Sequence, residues 1–165
     1  MIIISNTSPI NNLAEIGQLN ILQNIYNQII IPKAVYNDLI HPGAGEIVIN
    51  AVKNSDWIKV QSIQNQSMVK QLQNKINVGK AEAITLACEF NADQLIMDER
   101  LGRREAKGLG LNITGVLGVL VIAKNRNLIT AVKPLIDDLI DNAVFRVSPQ
   151  LLYRDILQAA NEDSI

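Results

Sequence analysis

The sequence predicts an α/β protein in which a mainly parallel central sheet is covered by helices on both faces. Short apolar stretches of strand length alternate along the chain with longer stretches of helical length. Strands that are separated by helices are typical of parallel sheets, because each connection must cross over one face of the sheet. The length of 165 residues and the hydrophobic content of 48% suit a single domain over residues 1–165 with a sizeable core.

The first half of the chain alternates regularly between strands and helices. The predicted strands are 1–5 (MIIIS), 28–32 (QIIIP) and 56–63 (DWIKVQSI). The predicted helices are 8–17, 19–27, 32–40 and 46–54, with a turn at 41–45. Ser8 is predicted to cap the first helix, because a hydroxyl followed by Pro9 at the first helical position is a typical helix start, and Gly17 is predicted to end it.

The second half continues the pattern. The predicted helices are 66–75, 80–90, 99–110, 116–129, 131–141 and 149–162. The predicted strands are 93–99 (DQLIMDE), 111–115 (LNITG) and 143–148 (AVFRVS). The helix at 80–90 is apolar nearly all round, so we expect it to be buried.

Composition excludes several classes of protein. Lys and Arg number 15 and Asp and Glu number 16, so any contact with nucleic acid must be local. Cys88 is the only cysteine, which excludes an internal disulfide and a cysteine zinc site. No stretch approaches the roughly 18 apolar residues of a membrane span, and no secretory signal is recognised, which predicts a cytoplasmic protein without membrane association. No glycine-rich phosphate loop follows any strand, which argues against a nucleotide-binding α/β protein.

Two oxygen-bearing side chains come directly at the ends of the apolar parts of predicted strands. Asn6 follows the first strand, and Asp98 follows the apolar segment of residues 94–97. In parallel sheets, ligands bind beyond the carboxyl ends of the strands, so both residues are candidates for one site. Asp98 is equally well explained as the N-cap of the following helix, and the sequence leaves both readings open.

Two further carboxylates lie on predicted helices. Glu82 is in the first turns of an apolar helix, where the helix dipole alone explains an acidic residue. A carboxylate in a buried helix nevertheless needs a partner, and a metal ion is one candidate. Asp38, taken alone, is an ordinary solvated residue of an amphipathic helix.

Four basic residues share one face of the helix that follows Asp98. Arg100, Arg103, Arg104 and Lys107 are spaced i, i+3, i+4 and i+7. This stripe is either a solvated face or a surface for a phosphate backbone, since it begins two residues after Asp98.

Four segments in this order resemble those of PIN-domain proteins. They are IIISNTSPI, PKAVYNDLI, GKAEAITLA and QLIMDERLGRREAKGLGL, and together they cover nearly the whole chain. Within that superfamily the combination is similar to compact, mostly prokaryotic PIN-like proteins related to the VapC-type toxins of toxin–antitoxin pairs. The resemblance implies a Rossmann-like α/β/α sandwich.

The same resemblance implies a metal-dependent endoribonuclease. It places Asn6, Asp38, Glu82 and Asp98 at the family's acidic positions, as catalytic residues and ligands of Mg²⁺ or Mn²⁺. Ser8 matches the family's hydroxyl after the first strand. The residues expected to contact RNA are Ser8, Arg100, Arg103 and Arg104. Besides RNA, the implied partners are a cognate antitoxin and a second copy of the chain, with residues 116–124 and 151–160 as the dimer surface.

Asn6 departs from the family's pattern, which most often has Asp at this position. An amide oxygen can still bind a metal ion but brings no negative charge. One pair of unit charges at 4 Å is worth roughly 4 kcal/mol before desolvation at an effective dielectric near 20. We therefore expect weaker metal binding, and the alternative function is a catalytically impaired module that binds RNA or protein.

Overall fold

The central sheet has five strands, all parallel. The computed structural model describes residues 1–147 and 150–162, and for residues 150–154 it describes the backbone alone. The strands are β1 (Ile3–Ser5), β2 (Ile29–Pro32), β3 (Ile58–Gln61), β4 (Gln94–Ile96) and β5 (Ile113–Thr114). Their order across the sheet is β3-β2-β1-β4-β5. The predicted α/β class with a parallel sheet is confirmed.

Helices connect the strands and cover both faces of the sheet. Those of the first half are α1 (Thr7–Glu15), α2 (Asn20–Tyr26), α3 (Lys33–Ile40) and α4 (Glu46–Lys53), with a short 3₁₀ helix at Pro42–Ala44. Those of the second half are α5 (Gln66–Leu72), α6 (Val78–Glu89), α7 (Arg100–Gly108), α8 (Val116–Asn125), α9 (Lys133–Asn142) and α10 (Gln150–Ala159). Within the described ranges, none of these helices has the length and apolar character needed to cross a bilayer.

The apolar residues of the sheet alternate between two cores. Ile3 of β1 packs in one core with residues of α1, α2, α4, α8 and α9. Its neighbour Ile4 packs in the other with residues of α5, α6 and α7. This alternation follows from the period of two along a strand. The helix α6 contributes a run of buried residues from Ala83 to Ala87, as the sequence predicted.

The order of the strands reverses at β1, and this reversal positions the site. Strand β1 pairs with β2 on one side and with β4 on the other. Ser5 lies opposite Ile96 in the register, and the backbone amide of Asn6 donates a hydrogen bond to the Ile96 carbonyl at 3.1 Å. The residues that follow β1 and β4 therefore leave the sheet side by side, where open α/β sheets bind ligands.

The start of α1 differs from the prediction. The helix begins at Thr7, so Ser8 lies within its first turn and the predicted Ser8 cap is wrong. Asn6 precedes the helix and makes no capping hydrogen bond with its side chain. Polar residues crowd this segment, and the sequence alone could not decide which of them precedes the first helical residue.

Two predictions near the C-terminus need correction. The predicted helix at 116–129 ends at Asn125, and Asn127 has a left-handed backbone with φ of 60°. Residues 143–147 form no strand, and Ser148 of that prediction lies outside the described residues. Phe145 and Val147 are apolar because they pack against the core, which produced a strand-like alternation without a strand. Of the proposed dimer surface, the side chains of residues 151–154 lie outside the described part.

Candidate functional site

Asn6 is buried beside the end of β4. The residue is 2% exposed, and its Oδ1 atom has no hydrogen-bond partner. A buried polar atom without a partner costs about 1–3 kcal/mol. Such atoms are rare in folded proteins and are often explained by function or by an unseen water or ion. Asn6 is therefore placed to offer an oxygen to a ligand.

Asp98 follows β4, and its two oxygens have different surroundings. Oδ1 accepts a hydrogen bond from the Val116 amide at the start of α8, at 2.9 Å. Oδ2 is buried and has no partner. The alternative that Asp98 caps the following helix is wrong, because Glu99 is the N-cap of α7 and accepts from the amides of Leu101 and Gly102. One oxygen of Asp98 thus remains available.

Burial raises the pKa of Asp98, while the Val116 amide and the Arg103 guanidinium oppose that rise. The main cause of the rise is desolvation. Because the folded pKa lies above the unfolded one, ionised Asp98 costs stability at pH values above its folded pKa. A cation bound at Oδ2 would offset that cost.

The Arg103 side chain lies against the end of β4. It is half-buried, and its Nη1 donates to the Met97 carbonyl at 3.3 Å. Gly115 leaves room for it, since a Cβ there would overlap Asp98 Oδ1 and lie 2.9 Å from Arg103 Nη1. The Arg103 charge therefore favours ionised Asp98, although the two side chains form no ion pair. The RNA contact expected of Arg103 stays a prediction.

The Gly115→Ala variant is expected to be less stable than wild type by about 1–3 kcal/mol, because the new methyl must displace Asp98 from the Val116 amide. Urea unfolding measures this difference. Gly108→Ala is the matched control, since a Cβ there meets no heavy atom within 4 Å. That control should be neutral or more stable by up to about 1 kcal/mol, because alanine favours helix. Equal stabilities of the two variants would show that Asp98 is not held against Gly115.

Asp38 lies on the exposed side of α3 but reaches the start of α1. Its Oδ2 accepts from the Thr7 hydroxyl at 3.1 Å. A Cβ at Gly79 of α6 would lie 3.1 Å from the same oxygen, so that glycine permits the close approach. From the sequence we predicted Ser8 as the hydroxyl of the site and did not identify Thr7. The adjacent position of Thr7, directly after Asn6, was the available signal.

Glu82 has a partner in the protein. The side chain is half-buried on α6, and Oε1 accepts from the Ala34 amide in the first turn of α3, at 3.1 Å. A carboxylate at the N-terminus of a helix is favourable because it meets free amides and the positive end of the helix dipole. This contact satisfies one oxygen of Glu82 without a metal ion.

The four predicted metal ligands are not assembled into one cluster of carboxylates. Asp38 and Glu82 contact the first turns of α1 and α3, whereas Asp98 contacts the start of α8. Among the described residues, no group of three or more His, Cys, Asp or Glu side chains is placed to hold a metal ion. The free oxygens of Asn6 and Asp98 nevertheless suit a hard cation, which often takes one or two carboxylates and completes its shell with water and phosphate.

A family model for the PIN domain matches residues 2–162, nearly the whole chain. The chain belongs to the PIN-domain family. The predicted resemblance is thus confirmed, and the family indicates a nuclease fold whose members generally use divalent metals. A search among curated proteins finds no match.

A cleft of about 1080 Å³ opens beside Asp98 in this PIN domain. Its basic residues are Arg100, Arg103, Arg104, Lys107 and Arg146. The ion pairs found in the described ranges are Lys75–Glu105, Lys80–Glu99, Lys124–Glu162 and Lys133–Asp137, and they include none of these five. A chain with a net charge of −1 therefore carries a locally basic cleft next to its candidate site. Arg146 was missed because a lone arginine in an apolar segment gives no periodic signal.

Proposed function

We propose that this PIN domain is a metal-dependent endoribonuclease and the toxin of a toxin–antitoxin pair. One observation carries the proposal: Asn6 Oδ1 and Asp98 Oδ2 are buried without partners beyond two adjacent parallel strands. Asp98 also lines the basic cleft, so this residue adjoins the cations that suit a phosphate backbone.

The residues that would hold Mg²⁺ or Mn²⁺ are Asp98 and Asn6. The resemblance to the family adds Asp38 and Glu82, which stand at its other two acidic positions. When bound, such an ion supplies a water of lowered pKa and offsets negative charge on the phosphate being cleaved. The amide of Val116 orients the Asp98 carboxylate and leaves its second oxygen free, and the charge of Arg103 favours the ionised form.

The chain's own cations would bind the substrate. Arg100, Arg104 and Lys107 are exposed on α7 and line the cleft. Guanidinium groups donate charge-assisted hydrogen bonds to phosphate oxygens and can hold a strand in register beside Asp98. We further propose a cytoplasmic location, a cognate antitoxin as partner and a homodimer. The similarity to VapC-type toxins supports these three points.

A second candidate function is an RNA- or protein-binding module that has lost catalysis. The neutral Asn6 and the lack of a three-carboxylate cluster in the described residues favour it. This module would use the same cleft. A measurement of metal binding distinguishes the two functions, because only the nuclease requires the ion.

The Asn6→Asp variant tests the proposal directly. The added charge beside Asp98 is expected to tighten Mn²⁺ binding by at least about tenfold, which corresponds to about 1.4 kcal/mol. Calorimetry measures this affinity, and cleavage of a labelled RNA with Mn²⁺ should rise in parallel. Asn54→Asp adds the same charge at an exposed site before β3, at the opposite edge of the sheet, and should change neither. If neither wild type nor Asn6→Asp binds Mn²⁺ or cuts RNA, the nuclease proposal is wrong.

A further inference from the structure

We propose that Arg146, together with the apolar surface of Leu117, Phe145, Val147 and Ile156, forms a nucleotide-binding subsite across the cleft from α7. The ligand is one unpaired nucleotide of an RNA strand, with its phosphate on Arg146 and its base on the apolar surface. This inference rests on the proposed RNA function and adds a binding surface that neither the sequence motifs nor the family match assigns.

The two walls of the cleft belong to different layers of the fold. Ala106 of α7 packs in the core shared with α5 and α6. Phe145, Val147, Ile156 and Leu117 pack against the core on the other face of the sheet. The edge strand β5 lies between these layers, and its two residues Ile113 and Thr114 also line the cleft. A strand bound there would contact α7 on one side and the segment 145–147 on the other.

Charge is present on both walls. Arg146 is exposed, and no ion pair found within the described ranges includes it. Arg100, Arg104 and Lys107 supply the charge on the α7 side. Cations on two walls complement a chain of phosphates, since a strand that passes between them can present successive phosphates to both sides.

The apolar wall favours an unstacked base. Phe145 is half-buried: it packs against the core and also lines the cleft. Aromatic side chains on which bases stack, next to a positive groove, are the usual means of binding single strands. The bases of a duplex are already stacked and paired, so they gain little from such a surface. The volume of about 1080 Å³ lies just above the range for small-ligand sites, about 300–1000 Å³, so the cleft has room for a nucleotide.

The test uses fluorescence anisotropy of a labelled, unstructured oligoribonucleotide, with EDTA present so that nothing is cleaved. Arg146→Ala is expected to weaken binding about tenfold and to lower the slope of log K against log salt by about 0.7, the value for one phosphate contact to a single strand. Lys53→Ala removes an exposed charge from α4 and should change neither quantity.

Phe145→Leu separates stacking from charge. It is expected to weaken binding of the single strand severalfold with the salt slope unchanged, because leucine keeps the core contact but offers no ring. The matched control is Phe90→Leu, since Phe90 is the chain's other phenylalanine and packs against the opposite core. With a duplex of the same sequence, Phe145→Leu should have no effect.

The outcomes distinguish this subsite from the proposed function. If Arg146→Ala and Phe145→Leu bind RNA as wild type does, while loss of Arg100 and Arg104 weakens binding, the subsite is refuted and RNA binding stands. If loss of the α7 arginines also changes nothing, the RNA function itself fails. If polyglutamate binds with the same dependence on Phe145 and the RNA does not bind, the cleft takes an acidic protein segment and the inference is overturned.

Discussion

Asp98→Asn is expected to abolish metal-dependent RNA cleavage and to leave the fold at least as stable as wild type. Asparagine keeps an oxygen for the Val116 amide but removes the charge that would bind the ion. Loss of a close charge pair with a cation is worth several kcal/mol before desolvation, so we expect a rate loss of at least about 100-fold. The unfolding free energy should not fall, because burial makes the ionised carboxylate costly.

The measurements are RNA cleavage with Mn²⁺ and urea unfolding as a function of pH. Burial raises the folded pKa of Asp98, so wild type gains stability relative to Asp98→Asn as the pH falls through that pKa, and any advantage of the variant should shrink there. Asp56→Asn is the control, since Asp56 is exposed and precedes β3, at the opposite edge of the sheet. Full cleavage by Asp98→Asn would remove the proposed metal site.

Replacing both Arg100 and Arg104 with alanine is expected to weaken RNA binding by roughly 150-fold, at about 1.5 kcal/mol for each charged hydrogen bond to phosphate. Two phosphate contacts to a single strand would be lost, so the salt slope should fall by about 1.4. Both arginines are exposed, so we expect little change in the unfolding free energy.

The control for this double variant is Lys53→Ala with Lys70→Ala. It makes the same change in net charge at exposed positions on α4 and α5, outside the cleft. Equal affinities of the two double variants would mean that RNA responds to the overall charge of the protein. The stripe on α7 would then be a solvated face.

The strands and most helices were predictable because their signals are local. The residues from Ile29 to Ile31 are apolar and β-branched, and Pro32 ends the strand. The strand β2 can therefore be predicted from its own residues alone. The prediction of a strand at 143–147 was wrong because its sequence pattern has a non-local cause. Its alternation comes from Phe145 and Val147 packing on a core formed by distant elements, and hydrogen bonding to another strand is absent from the residues described there.

The sequence predicted individual residues of the site but not the hydrogen bonds that they make. Asp98 could be recognised from the sequence as the residue after an apolar strand. Its hydrogen bond from the Val116 amide, 18 residues away, could not be predicted. The residues around Glu82 in the sequence do not predict that its Oε1 accepts a hydrogen bond from the Ala34 amide. Thr7 and Arg146 reach the site through the packing of separate elements, so their roles leave no spacing pattern.

The sequence by itself determined the alternation of strands and helices, the family, and the oxygen-bearing residues that follow β1 and β4, since these depend on residue type and near neighbours. Only the tertiary structure decided which oxygens remain without partners and which cations share a cleft. Hydrogen bonds at helix starts and contacts across layers join residues far apart in the chain, and the folded geometry alone assigns each polar atom its partner or leaves it free.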